Sequence, residues 1–319
     1  GQGKRMQFRC IWLCAVAWLL GALLAPVALA RDAVVLAPGL SETSLSAHTR
    51  YRNDSTGSDT PQDAFRRVQD GQFAPLPGGK SNFGFERGAF WFHVRLLNEN
   101  RDEPRWMLVQ RYALSDRIDV YARYPDGRIV HQASGDYLPF SSRSIPYRHP
   151  NFRLELPVGQ SVDLLVRVQS QSSMQVPLDL YTPAAFTSLS RDNQFVMGVY
   201  YGILLALFVY NLVLWVSLRD ASYSWYLMHI TAFGLVLFTM NGFAFEYLWQ
   251  NWTWMANVAV PLTICLALVA MQQFTRIFLE LPRRFPLGNR GSLVLIAIFS
   301  ALGIASLVLP YRVVTPWAT

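Results

Sequence analysis

Four stretches without a single charged side chain, 193–218, 221–245, 247–275 and 291–311, constrain this chain more than anything else in it. Each exceeds the roughly 20 apolar residues that a helix needs to cross about 30 Å of hydrocarbon. In lipid the backbone must satisfy its own hydrogen bonds, so such stretches read as helices. Four in succession do not make a globular core. We expect an α-helical bundle with spans near 195–217, 223–242, 253–274 and 292–310. The composition agrees: 15% of residues are charged and the mean hydropathy is +0.19, whereas soluble domains are nearer a quarter charged.

The loops set the expected orientation. The first, Ser217 to Ala221, carries Arg219; the second, Gly242 to Asn251, has no Lys or Arg and carries Glu246; the third holds Arg276, Arg283, Arg284 and Arg290. Positive loops stay inside. Loops one and three are therefore expected inside, with loop two and everything before the first span outside. Four spans that start outside also end outside. The sequence stops in Thr315-Pro316-Trp317-Ala318-Thr319 with no hydrophilic terminus, so a chain truncated within its transmembrane region is expected. Among the polar residues of the spans, Asn211 is expected to anchor an interhelical hydrogen bond, and His229 to pack. Gly198 and Gly202 form a small-xxx-small face that suits close packing and would also serve a homodimer. No ionised group sits mid-span, which argues against a proton pump or ion pathway.

The N-terminus supports export. Lys4, Arg5 and Arg9 precede the apolar run Ile11–Leu24, Pro26 interrupts it, and Ala28-Leu29-Ala30 supplies small residues at the expected cleavage site. Residues 1–30 read as a signal peptide with Met6 as the natural start. Cys10 and Cys14 would leave with it, so an exported domain over 31–190 has no cysteine and depends on its core. Net charge is +7, but residues 31–192 hold 19 basic against 18 acidic side chains. The surplus flanks apolar segments, as membrane topology requires, and leaves no nucleic-acid footprint.

Residues 31–190 alternate like strands. Phe90, Phe92, Val94 and Leu96 share one face, while Trp91, His93 and Arg95 share the other. Further strands are expected over Val34–Leu36, Trp106–Tyr112, Arg117–Tyr124, Arg128–Gln132, Phe152–Leu156, Val162–Gln169 and Met174–Tyr181. Pro125-Asp126-Gly127 and Pro157-Val158-Gly159 turn between neighbours. A short helix is expected over Thr60–Asp70, where Ala64, Phe65 and Val68 share a face behind Pro61 and Gly71 stops the run. This pattern predicts an all-β, jelly-roll-like sandwich.

There is no nucleophile elbow, zinc-protease signature, phosphate-binding loop or dinucleotide fingerprint, and no zinc-like Cys/His cluster. We expect no enzyme activity, no metal and no cofactor. A glycosidase carboxylate pair remains open at Glu99, Asp102 and Glu103, which otherwise read as a solvated hairpin tip. Trp91, His93 and Arg95, with Arg111 and Tyr112 at the end of the next strand, are the candidate ligand residues. Aromatic planes beside guanidinium groups suit a sugar or a small anion. The alternative for Trp91 is a second core layer.

Ala89-Phe90-Trp91-Phe92-His93-Val94-Arg95-Leu96, Arg167 to Ser172, Pro177-Leu178-Asp179-Leu180, Gly198 to Leu207 running into Tyr210-Asn211-Leu212, and Phe274 to Leu279 are also familiar as a set. Together they resemble the bacterial seven-transmembrane receptors with diverse intracellular signalling modules, and the exported part resembles their second type of extracellular domain. The resemblance covers about residues 31–310. It implies a periplasmic, carbohydrate-binding-like sensor domain on a multi-pass protein of the inner membrane. It also implies relay to a histidine kinase, diguanylate cyclase or phosphatase, and a ligand patch near Trp91, His93, Arg95 and Arg111. The expected partners are a small-molecule or glycan ligand and membrane lipid. A membrane-tethered carbohydrate-binding or envelope-interaction module without signalling is the competing reading.

Overall fold

The computed structural model describes residues 33–308; the signal-peptide reading at 1–30 and the last residues of the fourth apolar window lie outside them. The chain opens with β1 (Ala33–Leu36), β2 (Glu42–Ser44), β3 (Arg50–Asp54), α1 (Pro61–Gln69), β4 (Ala74–Pro75) and β5 (Ala89–Asn98). It continues through β6 (Arg105–Gln110), β7 (Arg117–Arg123), β8 (Ile129–Ser134), β9 (Asn151–Glu155), β10 (Ser161–Gln169) and β11 (Leu178–Tyr181). The strands form a two-sheet sandwich. The larger sheet runs β4-β3-β5-β10-β7-β8, with β1 parallel to the far half of β5; the smaller runs β2-β11-β6-β9.

Alternation explains the sandwich. Phe90, Phe92, Val94 and Leu96 of β5 join Ile118, Val120, Leu164 and Val166 of the same sheet, and Trp106, Leu108, Phe152 and Leu154 of the smaller one, in a single core. These residues are buried to 2% exposure or less. The opposite face of β5 was expected to meet solvent or ligand, and here the structure corrects the expectation. α1 lies across it and seats Ala64 and Phe65 on Trp91 and Leu165, closing a second core layer. The helix forms there for local reasons. Thr60 accepts from Asp63 N while Asp63 accepts from Thr60 N, a complete capping box with Pro61 at the first turn.

β3 was not foreseen. Its sequence, Arg-Tyr-Arg-Asn-Asp, carries no apolar alternation, because only Tyr51 packs against the core. Its partner β5 has all the hydrophobic pattern.

α2 (Pro183–Leu218) follows β11 directly, capped by Thr182, and starts well before the first apolar window. Its first turn belongs to the sandwich: Phe186 packs with Tyr147, Tyr181, Met107 and Val109. At about 1.5 Å per residue the helix spans roughly 54 Å, so one continuous rod runs from the β domain along the bundle. Then come α3 (Ala221–Met240), α4 (Phe243–Tyr247), α5 (Thr253–Phe278), α6 (Leu281–Arg284) and α7 (Pro286–Ala305). α2, α3, α5 and α7 are each long and apolar enough to cross a membrane. His229 Nδ1 lies 3.0 Å from Ala267 O, joining α3 to α5. Asn211 instead donates to Leu207 O of its own helix, 2.8 Å away, so its expected interhelical anchor is not formed.

The loop between α3 and α5 touches the β domain, where Phe140 N donates to Gln250 O at 2.9 Å. The arginines of α6 sit at the other end of α5. Loop two and the sandwich therefore share one end of the bundle, as the charge pattern requires. Reporter fusions at 220 and 288 are expected to be active as cytoplasmic reporters and one at 248 as a non-cytoplasmic reporter. Non-cytoplasmic activity at 288 would overturn the four-span topology.

Candidate ligand site

The outer face of the larger sheet is built in rows. Strand register sets Arg95 opposite Asp163, and Asp163 opposite Arg123. The next row runs Arg50, His93, Leu165, Tyr121 and His131; the one beyond runs Arg52, Trp91, Arg167 and Asp119. Directly opposed side chains stand about 5 Å apart, so each row is a set of touching neighbours. α1 covers the middle of the face and leaves a concavity at one end, while side-chain pairs fill the other.

One end is a concave site of about 340 Å³ lined by His48, Arg50, Val68, Gln69, His93, Arg95 and Arg123. Asp163 organises it. Its Oδ1 accepts from His93 Nε2 and Arg95 Nε, each at 3.0 Å, and its Oδ2 accepts from Arg123 Nη2 at 3.0 Å. Burial alone would raise the Asp163 carboxyl, but hydrogen bonds from His93, Arg123 and Arg95 and the Arg95 charge outweigh it. They hold the group far below the usual carboxylate range. Because a carboxylate only accepts, His93 carries its proton on Nε2.

The two arginines are held in position by their partners. Arg123 stacks its guanidinium 4.2 Å from the Phe65 ring centroid while bonded to Asp163. Arg95 commits Nε to Asp163 and lines the concavity with a side chain that is 29% exposed. Arg95 and Arg123 bring two positive charges against one carboxylate. A planar guanidinium fork matches a carboxylate or phosphate in two bonds. His93 also packs edge-on against Phe73, with centroids 6.3 Å apart.

The other end is closed by its own ion pairs and hydrogen bonds. Arg67 Nη2 donates to Asp59 at 3.0 Å, Arg167 Nη2 donates to Gly57 O at 3.1 Å, and Asp119 accepts from Arg117 and His131. Asp119 is held below the usual carboxylate range: burial pushes it up, and the Arg117 and His131 hydrogen bonds more than reverse that.

The five sequence-derived candidates separate. His93 and Arg95 come together in the concave site. Trp91 is fully buried under α1 and presents no surface to a ligand. Arg111 and Tyr112 follow β6 on the other sheet. There Arg111 donates to Asp179 at 3.2 Å, and Tyr112 lies beside Ser172 and Asp136. His48, Arg50, Gln69, Arg123 and Asp163 were missed. Alternation already turned Arg123 and Asp163 outward, since Val120, Ala122, Val162 and Leu164 point in. The pairing of β10 between β5 and β7, which brings them to Arg95, has no local signal. Glu99, Asp102 and Glu103 lie in the connection that carries the chain from β5 of the larger sheet to β6 of the smaller one, so the expected hairpin is instead a crossover between sheets.

Comparison with known proteins gives two family matches. The family described as 7TMR-DISM extracellular 2 matches residues 46–182, and that described as 7TM diverse intracellular signalling matches residues 193–319. Both are receptor sensory domains rather than catalytic ones. No curated protein matches the chain. Among solved structures, a Ruminococcus gnavus β-glucuronidase aligns at 11% identity and TM-score 0.27, covering 47% of this chain and 30% of that one. The same enzyme in complex with D-glucuronic acid aligns at 12% identity and TM-score 0.26, covering 48% and 31%. The chain thus spans about a third of those structures, and overlaps this weak carry no argument about ligand or chemistry.

Proposed function

Because this chain belongs to the seven-transmembrane receptors with diverse intracellular signalling modules, we propose that it is the sensing part of a bacterial inner-membrane signal transducer that recognises a small anion in the periplasm. The extracellular sandwich takes the ligand between Arg95 and Arg123, with His48, His93 and Gln69 as further polar contacts. A carboxylated sugar or another small organic acid fits the donor set and the volume. The helices then relay occupancy to a cytoplasmic output of the diguanylate cyclase or histidine kinase type. The observation that carries this reading is the Arg95–Asp163–Arg123 row at the floor of an open concavity, where positive charge exceeds negative.

Titration calorimetry of the chain in nanodiscs against glucuronate, galacturonate, citrate, phosphate and neutral glucose tests it. One or more of the anions is expected to bind, and glucose is not. Arg95→Ala should weaken that binding by about 1.5–3 kcal/mol, the scale of a hydrogen bond to a charged group. Asp163 keeps two of its three donors in this variant, so stability should fall by only about 1 kcal/mol. Binding of glucose with equal affinity, or an unchanged anion affinity in Arg95→Ala, would remove the anion site.

A further inference from the structure

The β domain grips the membrane half at one seam, and the seam is built around buried ionisable groups. On the sandwich side stand Ala113, Asp116, Asp136, Arg143 and Arg148; on the membrane side stand the α4 loop with Glu246, and Asn257 at the head of α5. The contact is close. A Cβ on Gly242, whose φ is +82°, would lie 2.7 Å from Ala113 Cβ and 2.9 Å from Arg148 O. Arg143 places its guanidinium 4.6 Å from the Phe140 ring centroid and 5.2 Å from that of Phe245. Arg148 lies 5.1 Å from the Phe243 ring centroid. Cation–π contacts of this kind strengthen when water is excluded.

Two carboxyl groups flank Arg143. Asp136 is 5% exposed and Glu246 also 5%. Asp136 Oδ1, Glu246 Oε2 and Arg143 Nε are buried without hydrogen-bond partners. The tight crossing at Gly135, where any Cβ would overlap the Asp116 carbonyl, sets the Asp116 carboxylate beside Asp136. Asp116 is itself committed to Ser170 Oγ at 2.9 Å and Gln171 N at 2.8 Å. An ionised Asp136 would thus face a fixed like charge in a dry site, with Arg143 as its cation and Asn257 as its donor from α5.

We propose that this seam is a proton-operated latch: with Asp136 protonated the β domain holds the α4 loop, and with Asp136 ionised the hold relaxes and α3 and α5 are freed to shift. The groups facing Asp136 are Tyr112 and Asp116 from the segment after β6, Arg143 from the loop before β9, and Asn257 from α5. Glu246 faces Arg143 and Arg148. Burial, then the Asp116 charge, pushes the Asp136 carboxyl well above its ordinary value, and burial raises Glu246 too. A raised carboxyl favours the folded seam at low pH, and that stabilisation is lost as pH rises through the folded value. Arg143, brought down to about 10 by burial, stays charged near neutrality. His149, pushed down to about 3 by burial and by Arg148, Arg143 and Arg111, stays neutral. The latch stands apart from the anion site, so either can fail without the other.

Hydrogen exchange of the full chain in nanodiscs at pH 5 and pH 8, corrected for intrinsic exchange rates, reads the latch directly. The Phe140 amide, bonded to Gln250 O, and the Leu248 amide, bonded to Ala244 O, report on it. Their protection is expected to fall at least tenfold from pH 5 to pH 8, while amides shared by β5 and β10 do not change. Asp136→Asn, neutral at both values, should keep them protected at both. Constant protection in the natural chain, or a pH response that survives in Asp136→Asn, would overturn the latch. A response abolished only by Glu246→Gln would also overturn the assignment to Asp136.

Discussion

Trp91→Ala is expected to destabilise the β domain by about 3–5 kcal/mol, the cost of truncating a fully buried tryptophan. The side chain has no exposed surface and is ringed by Ala64, Phe65, Phe73 and Leu165. The Tyr121 ring stacks with it at a centroid separation of 6.1 Å, and the Arg167 guanidinium lies 5.8 Å from it. Removing it leaves a cavity under α1, and α1 carries Val68 and Gln69, one wall of the proposed anion site. The melting temperature of the sandwich should drop by about 10 °C, at the usual 2–4 °C per kcal/mol for a domain of this size. Anion binding should weaken with it. Trp91→Phe is the control. The indole Nε1 is buried without a partner, so phenylalanine gives up volume but no hydrogen bond and should cost far less. A thermal scan of both variants in nanodiscs decides the matter. A loss below about 1 kcal/mol for Trp91→Ala would mean that α1 does not depend on the second core layer.

The same residue shows what the sequence could and could not convey. Alternation along Ala89–Asn98 separates the Phe90 face from the Trp91 face correctly, and Thr60, Pro61 and Asp63 announce α1 by their capping chemistry. Nothing local says that α1 folds back over that face, because docking is a contact between segments about 25 residues apart. Arg95 and His93 were legible as an outward pair for the same reason that Asp163 and Arg123 were. Their convergence was not, since β10 enters between β5 and β7 from far along the chain. β3 escaped notice because it borrows its hydrophobic complement from β5. The membrane half was the most legible part, since a charge-free window of helical length has few other solutions in any solvent. What it concealed was the long lead of α2 into the sandwich, where Phe186 is an ordinary apolar residue among polar ones. The seam was equally hidden: Glu246 marked loop two as the non-cytoplasmic side, but its burial against Arg143 depends on a domain some hundred residues earlier.

Asp163→Asn is expected to separate the electrostatic from the packing contribution at the proposed anion site. The amide has nearly the same shape, so no cavity forms, but the charge that fixes Arg95, Arg123 and His93 is lost. Removing one partner of a buried ion pair costs about 3–5 kcal/mol. The lower end applies here, because Arg95 and Arg123 are 29% and 24% exposed and water compensates them in part. The pH dependence should change in a defined direction. The Asp163 carboxyl is held low in the folded state, so its contribution to stability is present above the ordinary carboxylate value near 4. It is lost as pH falls below that toward the folded value. The natural chain should therefore lose stability steeply on acidification from about pH 5. In Asp163→Asn that slope should be shallower, with a remainder from Asp119 and Asp54, which are also held low. Unfolding followed by near-ultraviolet circular dichroism between pH 3 and pH 7 supplies both curves. Anion affinity should fall along with stability, because Asp163 positions the two guanidinium groups, whereas Arg95→Ala should lose mainly affinity. An acid limb of equal slope in the variant would show that Asp163 is not the group that anchors the row, and the site would then rest on Phe65 and the backbone alone.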